Sequence, residues 1–219
     1  RSLHKVRTLD LGYDPERIIV AEIDPRGTPM DSARRVDLLG SLEAAATALP
    51  WVEGATKTVT IPFWRTWSDL LRVPGVDSTR LREEFFMNAV SPSYFATTGT
   101  RIVRGRALEA TDRLGSQPVV VISEATARTL WPGEDALGRC VRIGGSDTLP
   151  CITVVGIARD IRRSFDEGGG RHLYLPFDQR IFVDASLFIR TRGPAAEQLE
   201  ATRRALQASL PGASVVWLR

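Results

Sequence analysis

Long apolar runs are missing from these 219 residues. No stretch approaches the roughly 20 uninterrupted apolar residues that a helical bilayer crossing needs. The longest runs, such as Val119–Ile122 and Ile152–Val155, are strand-sized. Residues 1–11 have no apolar core of the signal-peptide kind. Histidine is scarce: His4 and His172 are far apart, with no carboxylates or cysteines at ligand spacing, which argues against a zinc site. No Gly-Lys-Ser/Thr follows a glycine-rich turn and no Gly-x-Gly-x-x-Gly opens a helix, so phosphate cradling has no support. Lysine is nearly absent as well, with only Lys5 and Lys57 beside 27 arginines. The arginines are dispersed among 26 acids, for a net charge of +3, where a nucleic-acid footprint needs a clustered face. No nucleic-acid partner is expected.

The chemistry that remains is weak. Ser123 lies between a strand and a helix, as a nucleophile elbow does, but Val121 and Ala125 stand where the flanking glycines belong. It reads as a helix N-cap. Glu83-Glu84 and Asp166-Glu167 read as solvated surface. No acid–base pair, metal cluster or nucleophile emerges, so the expectation is a non-enzymatic module with no catalytic residue, metal or cofactor.

What is present is size and pattern. A chain that is 43% hydrophobic can bury a core. Leu3, Val6 and Leu9 are three apart and Gly12 with Asp14-Pro15 ends that element, which suggests a helix tail. Ile18–Ile23 predicts a strand. Thr28-Pro29-Met30-Asp31 predicts a helix start, with Thr28 capping and Asp31 as the capping-box acid. The helix runs to about Leu49 on a stripe of Val36, Leu39, Leu42, Ala46 and Leu49, and Glu53–Ile61 follows as a strand. The same β-α-β grammar returns at the other end. Ser186–Arg190 is a strand, Gly193-Pro194 opens a helix on Leu199, Thr202, Leu206 and Leu210, and Ser214–Leu218 is a last strand. A strand pattern running to the final residue is expected of a segment cut from a longer protein.

Between these units lie some 120 residues of short strands and turns. Phe63, Trp64 and Trp67 stand in an irregular stretch. They either pack against the domain or form an exposed contact for a partner or an apolar ligand. Cys140–Ile143 and Cys151–Ile157 predict a hairpin through Gly144-Gly145-Ser146-Asp147. Its midpoint falls between Gly145 and Ser146, so a regular register sets Cys140 opposite Cys151, close enough for a disulfide. A bulge beside Pro150 would shift that register, and two reduced core cysteines are the alternative.

Several stretches resemble the MacB-like periplasmic core domain of FtsX-type permeases in bacterial ABC transporters. They are Val90-Ser-Pro-Ser-Tyr-Phe95 continuing through Gly99 to Gly105-Arg106; Val119-Val-Val-Ile-Ser-Glu124; Trp131-Pro-Gly-Glu-Asp-Ala-Leu-Gly-Arg139; Val154-Val-Gly-Ile157 with Asp160; and Leu173-Tyr-Leu-Pro176. Their order and spacing together carry the resemblance, which runs from Leu11 to Arg219. It implies an α+β fold in which a split porter subdomain receives an inserted, strand-rich sabre subdomain, the whole set between two membrane helices on the periplasmic side of the inner membrane. On that plan residues 1–14 end a stalk helix, 15–62 and 172–219 form the porter-like part, and 63–171 the sabre-like insertion. The family supplies no catalytic residues. The implied partners are the membrane helices of the parent chain, an ABC ATPase, and a periplasmic adaptor or substrate. The expected function is transmission of ATP-driven motion of the membrane helices. The rival is a ligand-binding module holding an apolar substrate between the subdomains. A ferredoxin-like porter sheet implies strand order 4-1-3-2, with the first strand's start beside the last strand's end.

Overall fold

The computed structural model describes residues 14–24, 31–61, 65–77, 80–144, 146–161, 170–180, 182, 184–210 and 215–218. The helix expected over 1–14 therefore lies almost wholly outside the described residues, as do Thr28–Met30, Phe63 and Trp64, and Asp166-Glu167. The fold is α+β, built on one mixed sheet of eleven strands among these residues.

The terminal units supply four strands: β1 (Ile18–Asp24), β2 (Val52–Thr58), β10 (Ser186–Thr191) and β11 (Val215–Leu218). They are ordered β11-β1-β10-β2, with every neighbour antiparallel. This is the 4-1-3-2 order of a split β-α-β pair. Ala21 pairs with Leu218, so β11 ends opposite the middle of β1 and points toward its start.

Two helices cover one face. Helix α1 (Ser32–Thr47) starts one turn later than the sequence suggested, because Asp31 is itself the N-cap and accepts the Arg34 N–H at 2.8 Å. A cap oxygen and a capping-box acid have the same sequence signature here, and the structure shows which one Asp31 is. Leu39, Leu42 and Ala46 of α1 are buried, and Val36 and Leu49 only half-buried. A second long helix (Ala195–Gln207) buries Thr202 and Leu206. Thr202 is tolerated in an apolar stripe because its hydroxyl accepts the Trp51 indole N–H at 3.0 Å. Leu42, Ala46 and Leu206 close over Ile19, Ala21, Leu187 and Ile189 as one apolar cluster. Each fully buried Leu or Ile side chain there contributes roughly 1.5–3 kcal/mol.

Between β2 and β10 the chain adds β3 (Leu71–Arg72), β4 (Phe86–Val90), β5 (Ile102–Gly105), β6 (Val119–Ser123), β7 (Cys140–Ile143), β8 (Ile152–Ala158) and β9 (His172–Pro176). Two short helices join them: α2 (Tyr94–Thr98), closed by Gly99 at φ 79°, and α3 (Glu124–Leu130), capped by Ser123 through the Thr126 N–H; the long terminal helix is then α4. These strands continue the same sheet in the order β4-β9-β6-β8-β7-β3, with β5 also on β8. β4–β9 and β6–β8 are parallel. The strand His172–Pro176, read from sequence with the closing terminal unit, makes its pairs with β4 and β6.

The hairpin register differs from the regular one. Cys140 faces Thr153 and Val141 faces Ile152, a displacement of two residues. The Gly144 N–H turns aside to Leu70 O at 2.7 Å, and Pro150 has no N–H for the ladder. A shift of two preserves facing. Cys151 lies just before the ladder, its Cα 5.4 Å from that of Cys140, and the two sulfurs are joined.

Candidate functional site

The terminal and inserted strands meet at a narrow place. β2 and β4 share a single register pair, Thr58 with Val90. Around it the backbone adds Val59 N–H to Ala89 O at 3.0 Å and Ser91 N–H to Lys57 O at 3.1 Å. The pairing is short because β2 stops early. Expected to run to Ile61, it ends at Thr58, where Asn88 of β4 takes over the backbone donors that follow. Asn88 Oδ1 accepts the N–H groups of Val59 (3.2 Å) and Thr60 (3.0 Å). Its Nδ2 donates to Thr58 Oγ1 at 2.9 Å, and that hydroxyl passes its own proton to Thr60 O at 3.0 Å. The Asn88 amide and the Thr58 hydroxyl, both buried, thus have partners, as low-dielectric surroundings demand.

Beside the knot sits Lys57, buried to 6% exposure in a chain with two lysines. Its Nζ reaches Asp178 Oδ1 at 3.0 Å and stands 3.9 Å from Glu43 of α1. The ammonium also lies 4.6 Å above the Phe177 ring, a cation–π distance. Glu43 in turn faces Ser93, at the start of α2, whose hydroxyl is 3.1 Å from Glu43 Oε1 and 2.9 Å from Ala55 O. One clasp therefore ties α1 and β2 of the terminal half to α2 and the turn after β9. Sequence reading passed over both Lys57 and Asn88. A lysine within a run of small and β-branched residues was the available signal for the first; a lone Asn gave none.

A cleft of about 830 Å³ opens between α1 and α2 above β2. Its lining is mostly small, including Gly40, Ala44, Ala48, Ala55 and Ala96, with Glu43, Glu53 and Arg190 as its charges. Glu53 is held by Arg17 and by Arg190 Nε at 3.0 Å. The aromatic lining that a sequence-based binding model expects is not brought here by Trp67. Trp67 is half-buried against the inserted half's core, 5.7 Å from Phe182, and its carbonyl accepts the Met87 N–H at 2.8 Å. Phe63 and Trp64 lie outside the described residues.

The inserted half is fixed by close backbone contact and charge. Gly105, at φ 70°, faces Gly156 across β5–β8. A Cβ on Gly156 would stand 2.0 Å from Arg106 O, so only glycine fits that crossing. Next to it Arg106 clamps Asp112 with two bonds of 2.8 and 2.9 Å, and Glu109 N–H adds a third at 2.8 Å. Burial opposes charge on Asp112. The Arg106 hydrogen bonds, the Glu109 N–H and the Arg106 charge outweigh it and hold the carboxyl below the usual carboxylate range.

Among the described residues no cluster of three or more His, Cys, Asp and Glu side chains could hold a metal ion. His172 is buried within β9, and Glu83 is tied to Arg171 at 2.7 Å. No helix among them is long and apolar enough to cross a membrane.

Comparison with known proteins gives this architecture a family. The model for the MacB-like periplasmic core domain matches residues 9–209. The macrolide export ATP-binding/permease protein MacB of Rhodopseudomonas palustris is 26% identical over 181 residues, covering 76% of this chain and 25% of that protein. A probable syringafactin export ATP-binding/permease protein of Pseudomonas syringae pv. tomato is 30% identical over 142 residues, 64% of this chain and 19% of that protein. The chain thus spans a quarter or less of these relatives' length. The periplasmic region of MacB from Actinobacillus actinomycetemcomitans shares the fold, with TM-score 0.61 at 14% identity, over 94% of this chain and 90% of that one. So does the extracellular domain of the transporter YknZ from Gram-positive bacteria, with TM-score 0.59 at 17% identity, over 91% of this chain and 99% of that one. The chain belongs to the MacB-like periplasmic core domain family of transporter permeases.

Proposed function

We propose that this domain is a non-catalytic, extracytoplasmic transmission module that passes motion from the membrane helices of its parent permease to a substrate or partner outside the membrane. The relatives are named as ATP-binding/permease proteins, which supports an ABC ATPase as the source of that motion, in the parent chain or beside it. A periplasmic adaptor or the exported substrate would receive it. We divide the domain at its narrowest point, with the porter-like part formed by β1, α1, β2, β10, α4 and β11 and the sabre-like part by β3 through β9.

The observation that carries this reading is the single-pair junction between β2 and β4. A junction with one paired residue resists bending far less than the ladders on either side. The Lys57 clasp still couples the two parts by charge across it. Motion entering through β1 and the end of β11 beside it would therefore appear as a hinge movement that opens or shuts the α1–α2 cleft.

The experiment is to bridge that cleft in the full-length transporter, using Ala44→Cys and Ala96→Cys joined by a bismaleimide. Export is expected to stop while ATP hydrolysis persists. Unimpaired export with the cleft bridged would sink the proposal. The cleft also gives the second reading, an apolar substrate held between the two parts, a physical place. Its small lining and three charges favour the hinge, and direct protection of Ala44→Cys from maleimide by an exported substrate would favour the binding module.

A further inference from the structure

On the inserted half, apart from the α1–α2 cleft, there is a second cavity of about 250 Å³. Ile152 and Leu175, each 3% exposed, form its floor, and Pro118, Pro150 and Pro176 form walls. Arg113 and Arg180 stand at its mouth, both exposed. Among the described residues neither guanidinium has an ion pair or side-chain hydrogen bond; Arg72, Arg101 and Arg159 share that state, but of these five only Arg113 and Arg180 border the cavity.

The surroundings are fixed before any ligand arrives. Gln179 ties the loop to the sheet, its Nε2 donating to Ser116 Oγ (3.0 Å) and Gln117 O (2.8 Å) and its Oε1 accepting from Val119 N–H (3.2 Å). Leu114, 75% exposed, is anchored only by its N–H to Asp178 O at 2.8 Å and overhangs the opening. The Cys140–Cys151 link pins the Pro150–Ile152 wall, and Arg142 Nε holds Leu149 O at 2.9 Å.

We infer that this cavity binds a small amphipathic anion: a carboxylate on a short acyl or aryl chain. Three prolines and two aliphatic side chains offer the tail a dry surface that needs no reorganisation. Two guanidiniums at the rim offer the carboxylate charge-assisted, bidentate hydrogen bonds. The volume sets the size, since at roughly 30 Å³ per water-sized group it takes about eight heavy atoms. The charge sets the sign: a cation of equal length gains the same burial but meets two arginines. The inference does not depend on the hinge reading of the β2–β4 junction.

The test uses the 219-residue chain labelled with ¹⁵N and titrated with sodium octanoate below its micelle concentration. Saturable shifts are expected at the amides of Leu114, Gly115, Ile152 and Gln179. Arg113→Gln with Arg180→Gln, two exposed side chains without partners, should leave the rest of the spectrum in place and weaken octanoate at least about tenfold. Octylammonium should give no saturable shift at those amides. The inference is overturned if octanoate shifts stay linear to its solubility limit, if the double variant binds equally well, or if octylammonium binds as tightly. It is also overturned if an acidic peptide shifts these amides where octanoate does not, because the mouth then reads a protein partner.

Discussion

The terminal half and the inserted half share one sheet but are held together by different means. In the terminal half two local β-α-β units set four antiparallel strands, and two amphipathic helices close over them in a cluster of purely apolar side chains. The inserted half joins strands distant in sequence through the parallel pairs β4–β9 and β6–β8. It adds a covalent link, a clamped carboxylate and a crossing where two glycine backbones touch. Short-range units bring a hydrophobic face together at small entropic cost; long-range ones need specific fasteners, because loop closure precedes their reward.

If that contrast is right, the inserted half suffers more from point changes. The largest effect should come from Gly156→Val. Its Cβ meets a backbone carbonyl at 2.0 Å, which no rotamer change relieves, so a loss above about 3 kcal/mol is expected in urea unfolding. A loss under about 1 kcal/mol would break the comparison there. Next is the Cys140–Cys151 link. Replacing both cysteines with serine should cost about 3 kcal/mol in the chain-entropy model. Thiol titration of unfolded, unreduced wild-type chain should find no reactive groups, and two would remove the link from the account.

At the junction, Asn88→Ala leaves the Thr60 N–H without its acceptor and the Val59 N–H with Ala89 O alone. A loss of about 2 kcal/mol is expected; equal stability would mean that water replaces the amide. Asp112→Asn sharpens the contrast by pH. The folded carboxyl titrates below its unfolded value, so its stabilisation is complete above about pH 4 and drains away as pH falls through the folded value. Wild type should exceed the variant by about 1–2 kcal/mol at neutral pH, and the gap should narrow as pH falls through the folded value. A gap that persists in acid would assign the effect to packing. The smallest change belongs to the terminal half and has the opposite sign. Gly40 sits mid-helix in α1 with nothing within 4 Å of a Cβ, so Gly40→Ala should stabilise by about 0.5–1 kcal/mol.

The same contrast governs what could be read from sequence. Periodicity located β1, α1, β10 and α4 within a few residues, because each buries one face against a near neighbour. The order β11-β1-β10-β2 is the one a ferredoxin-like sheet implies for two such units, with handedness giving the strand directions. The candidate site was hidden, since it depends on which strands meet. Nothing near Asn88 in sequence indicates that it will satisfy residues thirty positions earlier. The cysteine hairpin was located but misregistered by two; the competing acceptor, Leu70 O, stands just before β3, some seventy residues earlier, where no local rule could place it. Gly156 was partly legible: a glycine inside an apolar strand signals a close backbone approach, though not with which partner.

Thr58 and Ser186 face each other in the β2–β10 ladder. Viewed from the terminal half alone, everything from 59 to 185 is the loop of one enormous hairpin, leaving and re-entering at a single rung. Such an opening could be closed by a turn of a few residues without moving any strand that carries the helices. Additions there cost only the slow logarithm of loop length. A lineage could thus lengthen, shorten or exchange whatever stands on this rung, fitting new outer parts to an unchanged base, with each trial having to re-form the short β2–β4 pairing, the Asn88 knot, the Lys57 clasp and the seat of Leu39.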